Sequence, residues 1–114
     1  MEKAMYFVKK INSPYLGVYP DIGNLTNAVE NPSADIRAGR GHIFAAHLKQ
    51  TLPGIFREVP YEAGRVDFKR AAKTLYTCGV RMFVAEFWDN GGDYRKVLEN
   101  NRKFLGKVLE SAIK

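Results

Sequence analysis

The 114-residue chain predicts an α/β fold in which parallel strands are covered by helices, and three observations carry that expectation. Short apolar runs alternate strictly with amphipathic segments from one end to the other. The runs are apolar on consecutive residues, as strands buried on both faces are. The stretches between runs carry helical periodicity, and a helical crossover is what a parallel pair needs to return over its sheet.

Each element follows from its residues. Ala4, Met5, Val8 and Ile11 recur at helical spacing with Lys3, Lys9 and Lys10 between them, and "NSP" ends that first helix. "YLGVYP", residues 15–20, reads as a short buried strand followed by a loop. In "NPSADIRAGRG", Asn31 is the N-cap, Pro32 takes the first helical position and Gly39 or Gly41 is the stop. "HIFAAHL", residues 42–48, is the second strand. Asp67 caps the next helix, Phe68, Ala71, Ala72 and Leu75 form its apolar face, and Gly79 ends it. "VRMFVAEFW", residues 80–88, is the third strand. Beyond Asp93, the residues Tyr94, Val97, Leu98, Phe104, Leu105, Val108, Leu109 and Ala112 trace one stripe of a long final helix. The expected order is helix, strand, helix, strand, helix, strand, helix: three parallel strands and four helices in a single partial domain, 1–114, without repeats or linkers.

Composition narrows the classes. At 46% hydrophobic and 12% aromatic residues the chain can bury a core, which excludes disorder. No apolar run approaches the roughly 20 residues that span a bilayer, and "MEKAMYFVKK" is too charged for a signal peptide, so a cytoplasmic protein without a membrane partner is expected. Cys78 is the single cysteine, which excludes an internal disulfide, and its helical setting reads as packing. The sequon at Asn24 is then coincidental. A net charge of +6 suits an anionic partner, nucleic acid or sugar phosphate, but the 18 Lys and Arg residues are dispersed, and solvated helix faces are the plainer reading.

Three polar residues stand at the ends of the three apolar runs: Asp21, His47 and Glu86. In parallel α/β folds the carboxyl ends of strands share one rim, where sites are built. Alternation places Val84 and Met82 on the face of Glu86, Ala45 and Ile43 on that of His47, and Tyr19 and Gly17 on that of Asp21, with Phe83, Ala85 and Phe87 turned to the helices. An imidazole and two carboxylates are competent ligands for Mn²⁺ or Zn²⁺. The same residues also fit a blander role, Asp21 as the cap of a following helix and His47 as a hydrogen-bonded core residue. The longest connection, 49–66, follows His47 directly, as substrate-covering loops do. Within it Lys49 and Arg57 are anion contacts or solvated charges. Phe56, Tyr61 and the segment around Trp88 are walls for a sugar ring, with buried packing as the alternative for Trp88, and "NGG" at 90–92 is a flexible turn.

"YPDIGNL", "AAHLKQT", "FREVPYEAGRVDF" and "VAEFW" resemble, in order and spacing, the last part of the sugar-phosphate 3-epimerases acting on L-xylulose or L-ribulose 5-phosphate, also labelled hexulose-6-phosphate isomerases. These are xylose isomerase-like barrels, a group that includes the endonuclease IV enzymes. The resemblance implies part of a TIM barrel with one divalent metal held by a Glu on the fifth strand and by Asp, His and Glu on the sixth, seventh and eighth. Asp21, His47 and Glu86 match the last three. It further implies removal of a proton next to a ketone, enediolate oxygens held on the metal, and Glu86 as ligand and one of two acid/base groups. Asn24, Lys49, Arg57 and Trp88 are the candidate substrate contacts. The fifth-strand Glu has no counterpart here, a barrel needs about 250 residues, Gln50 stands where the family usually has Asp, and "VPYEAG" replaces "VPFGEG".

Two further readings accompany the epimerase. A non-catalytic remnant would survive by self-association or by pairing with a complementary N-terminal half, because three strands leave open edges. An endonuclease IV-like nuclease would draw on several histidines, whereas His42 lies at the far end of its strand from His47, so no nucleic-acid partner is expected. The opening inside a helix, without an N-cap or preceding strand, is expected of a start imposed on a longer protein, a truncated product or a fragment.

Overall fold

A computed structural model describes residues 1–88 and 91–114. Asp89 and Asn90, where the turn at 90–92 was expected to begin, lie outside the described residues. The elements run α1 (Glu2–Ile11), α2 (Ile22–Ala28), α3 (Pro32–Ala38), β1 (Ala46–Leu48), α4 (Phe68–Thr77), β2 (Phe83–Ala85) and α5 (Tyr94–Ile113). Strands β1 and β2 are parallel, with Ala46 opposite Phe83, His47 opposite Val84 and Leu48 opposite Ala85. On the other side of β1 the segment before α2 joins through two isolated parallel bridges, Val18 to Ile43 and Asp21 to His47. The three expected apolar runs therefore lie side by side and parallel.

The first run is reduced to two bridges for a local reason. Three residues lead from Val18 to Asp21 but four from Ile43 to His47, so one extra residue interrupts the ladder as a bulge does. Pro20, inside the interval, has no N–H to give, although its carbonyl accepts from His47 N at 2.9 Å. The extra residue also shifts the side-chain phase. Ile43 was expected on the face of His47 and instead joins the core with Ala46 and Leu48, while Phe44 is exposed; Ala45 is buried too. On β2 Met82 and Val84 are both exposed and Phe83 and Phe87 pack against the core, as alternation requires, but Ala85, expected to turn to the helices with them, is exposed.

Residues 22–28, expected as a loop, form α2. Gly23, Asn24, Thr26 and Asn27 are poor helix formers, and the helix depends on its ends. Asp21 is the N-cap, its Oδ1 accepting from Asn24 N–H at 2.8 Å, and Ile22 is fully buried. Glycine is required at 23 because a Cβ there would come 2.8 Å from the Lys49 carbonyl. The chain thus wedges α2 against the end of β1.

The remaining elements match their signals. Asn31 caps α3 behind Pro32 and Gly39 stops it; Asp67 caps α4, whose last residue Thr77 is followed by the C-cap Cys78 and by Gly79 at φ 95°; Asp93, for which no capping role was expected, caps α5. Met5 and Val8 are the buried residues of α1, whereas Ile11 is exposed. Leu75, Val80, Phe68, Cys78 and Leu105 fill the core where α4 packs against α3 and α5, so Cys78 is packing as expected. Tyr94 and Leu98, at the start of the α5 stripe, remain exposed. No helix among the described residues is long and apolar enough to cross a membrane.

Candidate metal centre

The parallel register brings the three strand ends together. Asp21 bridges His47, and Glu86 N–H donates to the Leu48 carbonyl at 3.0 Å, which seats Glu86 one step beyond β2 and beside His47. One ligand atom from each of Asp21, His47 and Glu86 lies within 4.8 Å of the other two, and all three residues are half-buried. His47 Nδ1 lies 2.8 Å from Glu86 Oε2. The Tyr19 ring, two residues before Asp21, tilts against the imidazole with centroids 4.3 Å apart.

Asp21 fills two roles at once, because its oxygens are divided: Oδ1 caps α2, and Oδ2 lies 2.8 Å from Lys49 Nζ. His47 is not an enclosed core residue; its side chain keeps about a third of its surface open. Lys49, expected as a loop cation, is only 6% exposed. Its ammonium is held between Asp21 and Glu86, with Glu86 Oε1 at 3.5 Å, as a buried charge must be to offset its lost hydration. Trp88, partly exposed, lies beside both remaining cations: Lys49 Nζ is 5.6 Å and Arg57 Cζ 5.2 Å from its ring centre. Lys49, Arg57 and Trp88 are thus gathered at the cluster. Asn24 stands exposed in the first turn of α2, tied to the site through its N–H on Asp21.

Tyr61 is not an open wall for a ligand. It is 2% exposed, packs on Phe68 and Phe104, and its hydroxyl lies 2.6 Å from the Leu48 carbonyl and 2.9 Å from that of Glu86. Burial pushes that hydroxyl's pKa well above its ordinary value, with the Glu86 and Asp21 charges adding to the effect, so it remains a donor. Gln50, also buried, fastens both ends of the 49–66 loop: its amide donates to the Tyr61 carbonyl at 2.8 Å, and its Oε1 accepts from Thr51 N–H at 3.0 Å and Val66 N–H at 2.8 Å. Phe56 is exposed on the loop's outer part. Sequence reasoning missed the Lys49 pairing and the Gln50–Tyr61 fastening; the position of Tyr19 on the His47 side was readable from its spacing to Asp21.

A family model for the xylose isomerase-like TIM barrel matches residues 1–107. The chain belongs to the xylose isomerase-like TIM barrel family. Within that family, it is 39% identical over 89 residues to the L-ribulose-5-phosphate 3-epimerase UlaE of Salmonella paratyphi A, covering 77% of this chain and 31% of the relative. The same figures hold for the UlaE of Escherichia coli strain K12. Among solved structures, an L-ribulose 3-epimerase superposes with a TM-score of 0.77 at 17% identity, over 97% of this chain and 42% of that one. A xylose isomerase domain protein from Planctomyces limnophilus gives 0.79 at 20% identity, over 98% and 44%. Such neighbours establish the fold: the two strands, five helices and extra bridges are part of a TIM barrel. The chain spans 31% of the length of the curated relatives it matches.

The donor set suits a divalent cation. One imidazole and two carboxylates match the mixed N/O preference of Mn²⁺ or Zn²⁺. The Lys49 ammonium, drawn between two of the three, marks the point as one where positive charge is stabilised.

Proposed function

We propose that this chain carries the Asp–His–Glu side of the active site of a divalent-metal sugar-phosphate 3-epimerase acting on an L-ribulose or L-xylulose phosphate. The observation that carries the reading is the convergence of Asp21, His47 and Glu86 within 4.8 Å, in a chain 39% identical to L-ribulose-5-phosphate 3-epimerases. These three residues would hold the metal, Mn²⁺ or Zn²⁺. When bound, the ion supplies the Lewis acidity that makes proton loss beside a ketone accessible near neutral pH. Glu86 is the proton acceptor at the carbon being inverted. Its Oε2 is oriented by His47, and its main chain is anchored by Tyr61, which holds the carboxylate to one position. Arg57 and Lys49, gathered at Trp88, take the phosphate, Arg57 by its planar fork. Trp88 and Tyr19 offer apolar faces to the sugar.

Among the described residues, no further His, Cys, Asp or Glu joins the three. Epimerisation returns a proton to the opposite face, so the complementary acid would come from a segment contributed by the rest of a barrel. The test is exchange of the substrate C3 hydrogen for solvent deuterium with L-ribulose 5-phosphate and Mn²⁺. It is run on the chain alone and mixed with the preceding part of a related epimerase. Metal-dependent exchange in the mixture is expected; exchange in neither would contradict the reading.

A second reading rests on a different observation. Tyr19, Phe44, Met82 and Val84 are exposed, and β2 pairs with β1 alone among the described residues. Such a surface and edge favour self-association of a non-catalytic piece. Light scattering with and without Mn²⁺ separates the two: a metal-independent assembly favours self-association, and a monomer stabilised by metal favours the epimerase site.

A further inference from the structure

The oxygens of the cluster are unequally available. Asp21 Oδ1 is committed to the N-cap of α2, which leaves Oδ2 to face inward, and Oδ2 is the atom that Lys49 holds at 2.8 Å. Glu86 Oε2 is engaged with His47 Nδ1, which leaves Oε1, and Lys49 stands 3.5 Å from it. The one ammonium therefore covers both carboxylate oxygens that the cap and the imidazole leave over. A divalent ion taking those oxygens would sit within a few ångströms of a like charge, at a half-buried site where water screens the repulsion poorly.

The backbone of Lys49 cannot retreat to relieve this. Its carbonyl lies so close to Gly23 that even a Cβ at that position would meet it at 2.8 Å, so the strand end and α2 are in contact. Only side-chain rotation moves the ammonium. The Trp88 ring is 5.6 Å from Nζ, and its other cationic neighbour is the Arg57 guanidinium at 5.2 Å. Two cations beside one partly exposed indole form an anion site, provided that Lys49 is released from the carboxylates.

We infer that Lys49 is a built-in counter-cation of the Asp21–Glu86 pair that competes with the divalent metal, so that metal entry turns its ammonium toward Trp88 and Arg57 and couples metal binding to binding of a phosphate-like dianion. The inference rests on the metal reading of the site. The coupling is reciprocal: a dianion at Arg57 and Lys49 draws the ammonium away and tightens metal binding by the same factor that metal tightens the dianion. Lys49 is a positioning residue with two stations, and its side chain makes the site order its ligands.

The experiment is calorimetric titration of Mn²⁺ into the wild-type chain and Lys49→Met, each with and without inorganic sulfate. Without sulfate, Lys49→Met is expected to bind Mn²⁺ at least tenfold more tightly than wild type. Sulfate is expected to tighten Mn²⁺ binding several-fold in wild type and to have no effect in the variant. Equal or weaker Mn²⁺ binding by Lys49→Met overturns the inference while leaving the metal reading intact. Absence of saturable Mn²⁺ binding in both proteins overturns the metal reading, and the inference with it. Should Lys49→Met fail to fold, the wild-type titrations decide alone: Mn²⁺ affinity that ignores sulfate overturns the coupling.

Discussion

Replacing Gln50 by Met removes every polar atom of the side chain while keeping its length, and the structure sets what that costs. Three bonds are lost: from the Gln50 amide to the Tyr61 carbonyl, and from Thr51 and Val66 N–H to Oε1. Gln50 is 3% exposed, so the stranded backbone groups have little access to water. At ~1 kcal/mol for each lost bond, and more wherever a group stays unsatisfied, the loss is about 3 kcal/mol or above. That is a large fraction of the roughly 5–15 kcal/mol that holds a domain folded. Gly64 fits this arrangement, because a Cβ there would run into the Gln50 side chain. Urea unfolding followed by Trp88 fluorescence gives the magnitude, and hydrogen exchange at the Thr51 and Val66 amides shows whether the loop opens. A destabilisation below about 1 kcal/mol with unchanged exchange at those amides would refute the claim that Gln50 fastens the loop.

Tyr61→Phe removes the donor shared by the Leu48 and Glu86 carbonyls and is expected to destabilise by ~1–2 kcal/mol, measured by the same unfolding. Because burial raises the Tyr61 pKa in the folded state, its contribution is complete below the ordinary value of 10.0 and falls as pH rises beyond it, so the stability gap between wild type and variant narrows above pH 10.0. A gap that stays constant through that range would contradict this. Asp67→Ala deletes the cap on Arg70 N–H and is expected to cost about 1 kcal/mol by thermal unfolding, while leaving metal binding unchanged.

Much of the site could be read from the sequence because it depends on strand ends. Asp21, His47 and Glu86 each close an apolar run, and parallel geometry alone is enough to make those ends meet. The caps at Asn31 and Asp67 were readable for a similar reason, since a cap is a local bond between near neighbours. Where contacts at long sequence separation decided the outcome, the sequence was silent. Helix α2 depends on burial of Ile22 and close approach of Gly23 to Lys49, neither of which shows as helical periodicity. The extra residue between Ile43 and His47 inverted the expected facing of Ile43 and left Phe44 exposed, because period-2 counting fails across a bulge. Lys49 resembled a solvated loop cation until the fold set two carboxylates beside it. Tyr61, by contrast, proved to be buried support for the strand ends.

The most direct test of the central claim is Mn²⁺ binding to the wild-type chain and to Asp21→Asn. Asparagine keeps an oxygen to accept from Asn24 N–H, so the α2 cap survives while the charged ligand is lost. Wild type is expected to take up one Mn²⁺ per chain, and Asp21→Asn to bind at least tenfold more weakly with unchanged circular dichroism. Equal affinity in the two proteins would contradict the assignment of Asp21, His47 and Glu86 as a metal centre.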